Sequence, residues 1–187
     1  MSSKNYAPRC YESHGPMPIG DHYIYGGSCI HPKIIDADIY VGLDYGMAEH
    51  LESYPWMNGD AFKFEIPNMK VPDDFTQFSM LIDWLHAALL DGAKVHVGCI
   101  GGHGRTGIVL AALVKQMTGQ KRAIHYVRKH YCKKAVETKE QIVWLSKQYG
   151  ITPAKARYTD IDLLKNNKHY KNMSSGQIML LDDWRAK

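Results

Sequence analysis

Phe75, Phe78, Ile82, Leu85 and Leu89 recur at three- and four-residue intervals, the repeat of one helical face. Asp73 or Asp74 can cap this run and Asp91-Gly92 stops it, which predicts a helix over 75–90. Residues 108–117 are apolar on nearly every side, so a buried helix is expected there, closed by Gly119. Ala123, Ile124, Val127 and Tyr131 give the inward face of a basic helix over 121–131. Ile142, Leu145 and Tyr149 mark a last helix, begun by Thr138 and followed by Gly150. Short β-branched, aromatic or alternating runs at 22–26, 38–43, 61–66 and 93–97 predict strands. Strands and helices interleave, so the class is α/β. Residues 1–20 hold three prolines and two glycines and read as an N-terminal arm. Residues 21–150 carry the periodic elements and form one domain, and 151–187 lack periodicity and read as a C-terminal extension.

The 187 residues are 45% hydrophobic and 22% charged, which excludes global disorder and suits a single globular domain. No apolar run approaches the ~18 residues of a spanning helix, and the first ten residues hold no apolar stretch. A soluble, cytoplasmic protein is the expectation. The cysteines Cys10, Cys29, Cys99 and Cys132 are never paired at two-residue spacing. That argues against a zinc knuckle or a disulfide scaffold, and no metal or other cofactor is expected. Residues 36–91 carry eleven acids against Lys63 and Lys70, whereas 115–134 carry seven Lys or Arg and no acid. Such separation creates a positive side able to attract an anion, or two solvated faces.

The segment Gly98-Cys99-Ile100-Gly101-Gly102-His103-Gly104-Arg105-Thr106-Gly107 joins a predicted strand to a predicted helix. It contains GxGxxG, but a dinucleotide fold expects a second strand ending in an acid ~20 residues on. Two helices follow instead. A glycine-rich connector with a buried cysteine is the bland alternative. The glycine density argues that bare backbone must approach something. If the five residues between Cys99 and Arg105 curl into a ring, their N–H groups converge at the positive end of a helix. Such a cradle binds a tetrahedral dianion through the N–H groups of Ile100, Gly101, Gly102, His103, Gly104 and Arg105. The Arg105 guanidinium grips two oxygens at once. The same field lowers the pKa expected for Cys99, making a thiolate that can attack phosphorus. Thr106 is placed to donate to the thiolate as it leaves in the second step.

Cys99-x5-Arg105-Thr106 between strand and helix resembles the signature loop of the cysteine-dependent protein tyrosine phosphatase superfamily, and most closely its dual-specificity branch. Ile24-Tyr25-Gly26-Gly27-Ser28 resembles the opening strand of that branch, and residues 121–149 resemble its closing helices. The resemblance covers about residues 20–150 and implies a central, largely parallel sheet flanked by helices on both faces. It also implies that Gln141 orients the hydrolytic water, although Thr138-x-x-Gln141 reads equally as a capping box. The family's His before the cysteine is replaced by Gly98, with His96 two residues upstream on the opposite strand face. The family's general-acid Asp is replaced by Asn68, in Pro67-Asn68-Met69-Lys70-Val71-Pro72. Asp73 and Asp74 follow, with helix capping as their expected role. A basic residue at His103 resembles members that act on highly anionic substrates such as phosphoinositides.

Together these readings predict a phosphatase that hydrolyses phosphate monoesters, on phosphorylated proteins or other anionic phosphates, through a phosphocysteine. Alternatives are a phosphoinositide or phosphoanhydride phosphatase such as an RNA 5′-triphosphatase, with RNA as partner, and a phosphate-binding module without turnover.

Overall fold

The computed structural model describes residues 13–30, 35–50 and 59–158. Residues 1–12 of the expected arm, Cys10 among them, and 159–187 of the expected extension lie outside the described residues. Five strands form one sheet: β1 (Met17–Ile19), β2 (His22–Ser28), β3 (Ile39–Gly42), β4 (Asp60–Lys63) and β5 (Val95–Cys99). Their order is β1-β2-β5-β3-β4, with β1 antiparallel to β2 and every other pairing parallel. The largely parallel sheet flanked by helices is therefore present. β1 is a strand inside the expected N-terminal arm. Three residues containing a proline carry no readable period, and pairing Met17 with Ile24 makes the strand.

The helices are α1 (Phe75–Leu90), α2 (Gly104–Thr118), α3 (Ala123–His130) and α4 (Lys139–Tyr149). Asp74 caps α1 by accepting from the Thr76 and Gln77 N–H groups. α2 starts four residues before its apolar run, because the glycine-rich turn winds into its first turn. Gly119 and Gly150 end α2 and α4 in the left-handed conformation.

Alternation divides the sheet into two faces. Ile24, Ile39, Val41, Val95, Val97 and Cys99 join the main core with residues of all four helices. Tyr40 lies in a second cluster with Cys29, Ala37 and Met47, beside the short 3-10 segment Tyr45–His50. Among the described residues the α-helices thus cover one face rather than both. Tyr40 and His96 on the other face are large and polar-tipped, a surface suited to loops rather than to an apolar helix stripe. Residues 151–158 belong to the domain: Ile151 is buried, the Thr152 N–H donates to Lys121 O, and the Arg157 and Tyr158 N–H groups donate to Glu137 O. No helix among the described residues is long and apolar enough to cross a membrane.

Candidate active site

The parallel strands β2, β3, β4 and β5 end along one edge of the sheet, where the loops that follow them meet. There a cleft of about 190 Å³ is lined by Asn68, Met69, Cys99, Ile100, Gly101, His103, Gly104, Arg105, Glu137 and Gln141. Cys99 is its buried thiol, at the last position of β5.

Backbone partners fix the direction of the loop after Cys99. The Cys99 carbonyl accepts from the Cys29 N–H at 2.9 Å. The Gly102 carbonyl accepts from the Tyr131 hydroxyl at 2.6 Å. The His103 carbonyl accepts from the Gly107 and Val136 N–H groups. In a planar trans peptide the N–H points opposite to the C=O. The N–H groups of Ile100, His103 and Gly104 are therefore turned away from these outer partners. Gly102 has φ 68°, a conformation costly for a residue with a β-carbon, and a β-carbon there would also lie 2.9 Å from the Gly27 backbone. Backbone N–H groups left free of outer partners at a helix start offer a place for an oxyanion.

Arg105, 3% exposed, closes the cleft. Its Nη1 donates to Asp44 Oδ2 at 2.7 Å, Ile66 O at 2.9 Å and Leu43 O at 3.1 Å, and its Nη2 donates to Asn68 Oδ1 at 3.2 Å. These acceptors come from the loops after β3 and β4. The guanidinium is thereby locked in one orientation, with a buried countercharge behind it.

No family model matches the chain. It is 38% identical over 92 residues to two uncharacterized proteins of Methanocaldococcus jannaschii, covering 46% of this chain. The match spans 62% and 57% of those relatives, less than two thirds of either. Among solved structures, the active form of Tk-PTP superposes with a TM-score of 0.60 at 24% identity, over 73% of this chain and 97% of that one. Kinase associated phosphatase, carrying serine for its catalytic cysteine, superposes with a TM-score of 0.59 at 14% identity, over 74% and 96%. PTPMT1 superposes with a TM-score of 0.57 at 17% identity, over 73% and 94%. The chain has the dual-specificity phosphatase fold.

Within this phosphatase fold, the departures noted in the sequence have physical causes. A β-carbon at Gly98 would lie 2.6 Å from Cys29 N and 2.7 Å from Ser28 C, so β2 passes too close for histidine or any other side chain. His96 is buried on the opposite sheet face, its ring 5.7 Å from that of Tyr40, and burial pushes its pKa down to about 4. Asn68 uses its carbonyl oxygen to hold Arg105. Asp74 is spent on its helix cap, and exposed Asp73 is not part of the cleft lining.

Thr106 Oγ1 accepts from the Cys99 N–H at 3.0 Å and donates toward Gly27 O at 3.5 Å. Its hydroxyl oxygen therefore braces the Cys99 backbone. Gln141 completes the capping box of α4: its Oε1 accepts from the Thr138 and Glu137 N–H groups, and its Nε2 donates to Lys70 O at 3.2 Å. The same amide borders the cleft, so capping and cleft lining coexist. His103 borders the cleft with its Nδ1 3.7 Å from Cys132 Sγ. Burial, then Lys134, lower its pKa to about 4, so it is neutral near pH 7 and adds no positive charge to the cradle.

Asp44, Tyr131 and Glu137 were not among the sequence candidates as site residues. An acid directly after a parallel strand was the available signal for Asp44. Tyr131 reads in the sequence only as the inward face of a helix.

Proposed function

We propose that the protein hydrolyses phosphate monoesters through a phosphocysteine formed on Cys99. The observation that carries this reading is the meeting of a buried thiol, a glycine-rich loop at a helix start and an ion-paired arginine in one cleft. The substrate phosphate sits in the N–H groups of residues 100–105, the Gly104 N–H turning to it from the Glu137 carboxyl. Arg105, whose Nη1 and one Nη2 proton are engaged by the fold, turns its remaining protons to two phosphate oxygens. The Cys99 sulfur attacks phosphorus in line, and the cradle follows the equatorial oxygens through the transition state. Thr106 and the Gly27 carbonyl hold the Cys99 backbone still. Gln141 borders the place where water attacks the phosphocysteine.

The cleft rim favours a phosphorylated protein side chain with an apolar body, such as phosphotyrosine. Ile100 stands 46% exposed there, and Met69 lines the same wall. PTPMT1 has been solved with PI(5)P, but the neutral His103 here lends no charge to a more anionic headgroup. A reduced Cys99 suits the cytoplasm.

The test is turnover of p-nitrophenyl phosphate and a phosphotyrosine peptide in buffer with EDTA. Wild type should hydrolyse both, and Cys99→Ser should hydrolyse neither while still binding phosphate, because the serine hydroxyl is a weak nucleophile near neutral pH. Undiminished turnover in Cys99→Ser would remove the phosphocysteine.

A further inference from the structure

Thiol and guanidinium account for attack on phosphorus, yet an ester with a poor leaving group also needs a proton for its departing oxygen. The position expected to supply it holds Asn68, whose amide gives up no proton near neutral pH. The other candidate acids do not line the cleft, exposed Asp73 among them. Asp44 is ion-paired to Arg105, Asp74 caps α1, and Glu140 forms an exposed ion pair with Lys70. Among the described residues lining the cleft, Glu137 is the one carboxylic acid.

Its placement is specific. Oε2 lies 2.8 Å from where a β-carbon on Gly104 would stand, with Gln141 Nε2 at 3.0 Å from the same point. The glycine at 104 is what lets the carboxyl lie against the cradle, beside the amide that borders the water site. The Glu137 backbone is clamped on both sides. Its N–H donates to Gln141 Oε1, and its carbonyl accepts from the Arg157 and Tyr158 N–H groups. Arg128 holds the preceding turn by donating to the carbonyls of Ala135 and Val136, and ties it to the C-terminal segment by donating to Lys155 O. The Val136 N–H ties that turn to His103 O in the loop itself.

We propose, resting on the hydrolytic reading above, that Glu137 is the general acid and then the general base of this active site. In the first step sulfur–phosphorus bonding forms as the phosphorus–oxygen bond breaks, and the leaving oxygen takes the carboxyl proton. In the second step water attacks phosphorus, its proton passes to the carboxylate, and the phosphorus–sulfur bond breaks to restore the thiolate. Burial raises the Glu137 pKa above its ordinary value. The groups facing it, Arg157 from the C-terminal segment, the Gly104 N–H and Arg105 from α2, and Lys134 from the turn after α3, act in the opposite sense without cancelling that shift. A raised pKa keeps more of the acid form available near neutral pH.

The test compares phenyl phosphate, a poor leaving group, with 2,4-dinitrophenyl phosphate, a good one, across pH, reading the first turnover of each. Wild-type kcat on phenyl phosphate should fall on the alkaline side as Glu137 ionises. Glu137→Gln should lose about 10²–10⁴-fold on phenyl phosphate and less than about tenfold on the dinitrophenyl ester, and its alkaline limb should disappear. If Glu137→Gln does not stay folded by circular dichroism, Glu137→Asp decides: its loss must again be larger on phenyl phosphate. Equal losses on both esters with an unchanged pH profile would make Glu137 merely structural and overturn the proposal, as would full activity of Glu137→Gln. A wild type that turns over neither ester would overturn the hydrolytic reading itself, a result distinct from either of these.

Discussion

Asp44→Ala strips the buried Arg105 guanidinium of its countercharge. The two side chains are 5% and 3% exposed and meet at 2.7 Å, so water cannot take over the lost contact without opening the site. Breaking a buried ion pair from one side costs about 3–5 kcal/mol. For a domain of this size that is roughly 6–20 °C in Tm. Asp44 Oδ1 also accepts from the Gly46 N–H at 3.0 Å. Asp44→Asn can keep that bond while removing the charge, so its Tm should fall between the other two proteins. Thermal unfolding with and without inorganic phosphate is the assay. Bound phosphate supplies Arg105 with a new countercharge, so it should recover more of the lost Tm in Asp44→Ala than it adds to wild type. The freed guanidinium should also cost about 10²-fold in kcat/KM, as a misplacement near 1 Å does. A fall of less than about 2 °C, with the same phosphate response in both proteins, would refute the reasoning, since a desolvated unpaired charge cannot be that inexpensive.

Tyr131→Phe leaves the Gly102 carbonyl without its hydroxyl partner, which should cost about 1–3 kcal/mol in urea unfolding and weaken vanadate inhibition as the loop peptide loses its orientation. Gly98→Ala should cost more than about 1 kcal/mol, and Gly98→His should fail to raise activity, because β2 backbone occupies the space either side chain needs; a stable, faster Gly98→His enzyme would contradict this. Asn68→Asp should not speed turnover of phenyl phosphate near pH 7, because Arg105 Nη2 would hold the new carboxylate ionised; a gain there would place the acid on the loop after β4. His96 titrates at about 4 in the fold and near 6.5 when unfolded, so the unfolded chain binds the extra proton between those values. Stability should therefore be full above pH 6.5 and fall by about 3 kcal/mol as pH drops to about 4, and His96→Phe should flatten that part of a denaturation series.

Elements governed by near neighbours were legible in the sequence. Helix 75–90 was, because its period and its capping aspartate both lie within the segment. The capping box of Thr138 and Gln141 was too, being a four-residue motif. Cys99 and Arg105 were legible because one loop carries both. What supports them was not. Asp44 reaches Arg105 across 61 residues and Tyr131 reaches Gly102 across 29, and no local spacing encodes either contact. Gly98 looked like the loss of a family histidine until the backbone of β2 was seen to fill that space. Strand β1 carries no local signal, because its apolar pair gains meaning only against Ile24.

Tyr131 follows α3, and it holds a loop that precedes α2. The Gly102 peptide therefore receives its orientation from a chain segment synthesised later, and Glu137 and Arg157 lie later still. Loop closures of this span are slow relative to local helix formation. A nascent or partly refolded chain can hold α1 and the strands and still have no competent cradle. Recovery of phosphate binding after dilution from urea should accordingly trail the return of helical circular dichroism, and a chain stopped before residue 131 should contain Cys99 and Arg105 yet bind no phosphate.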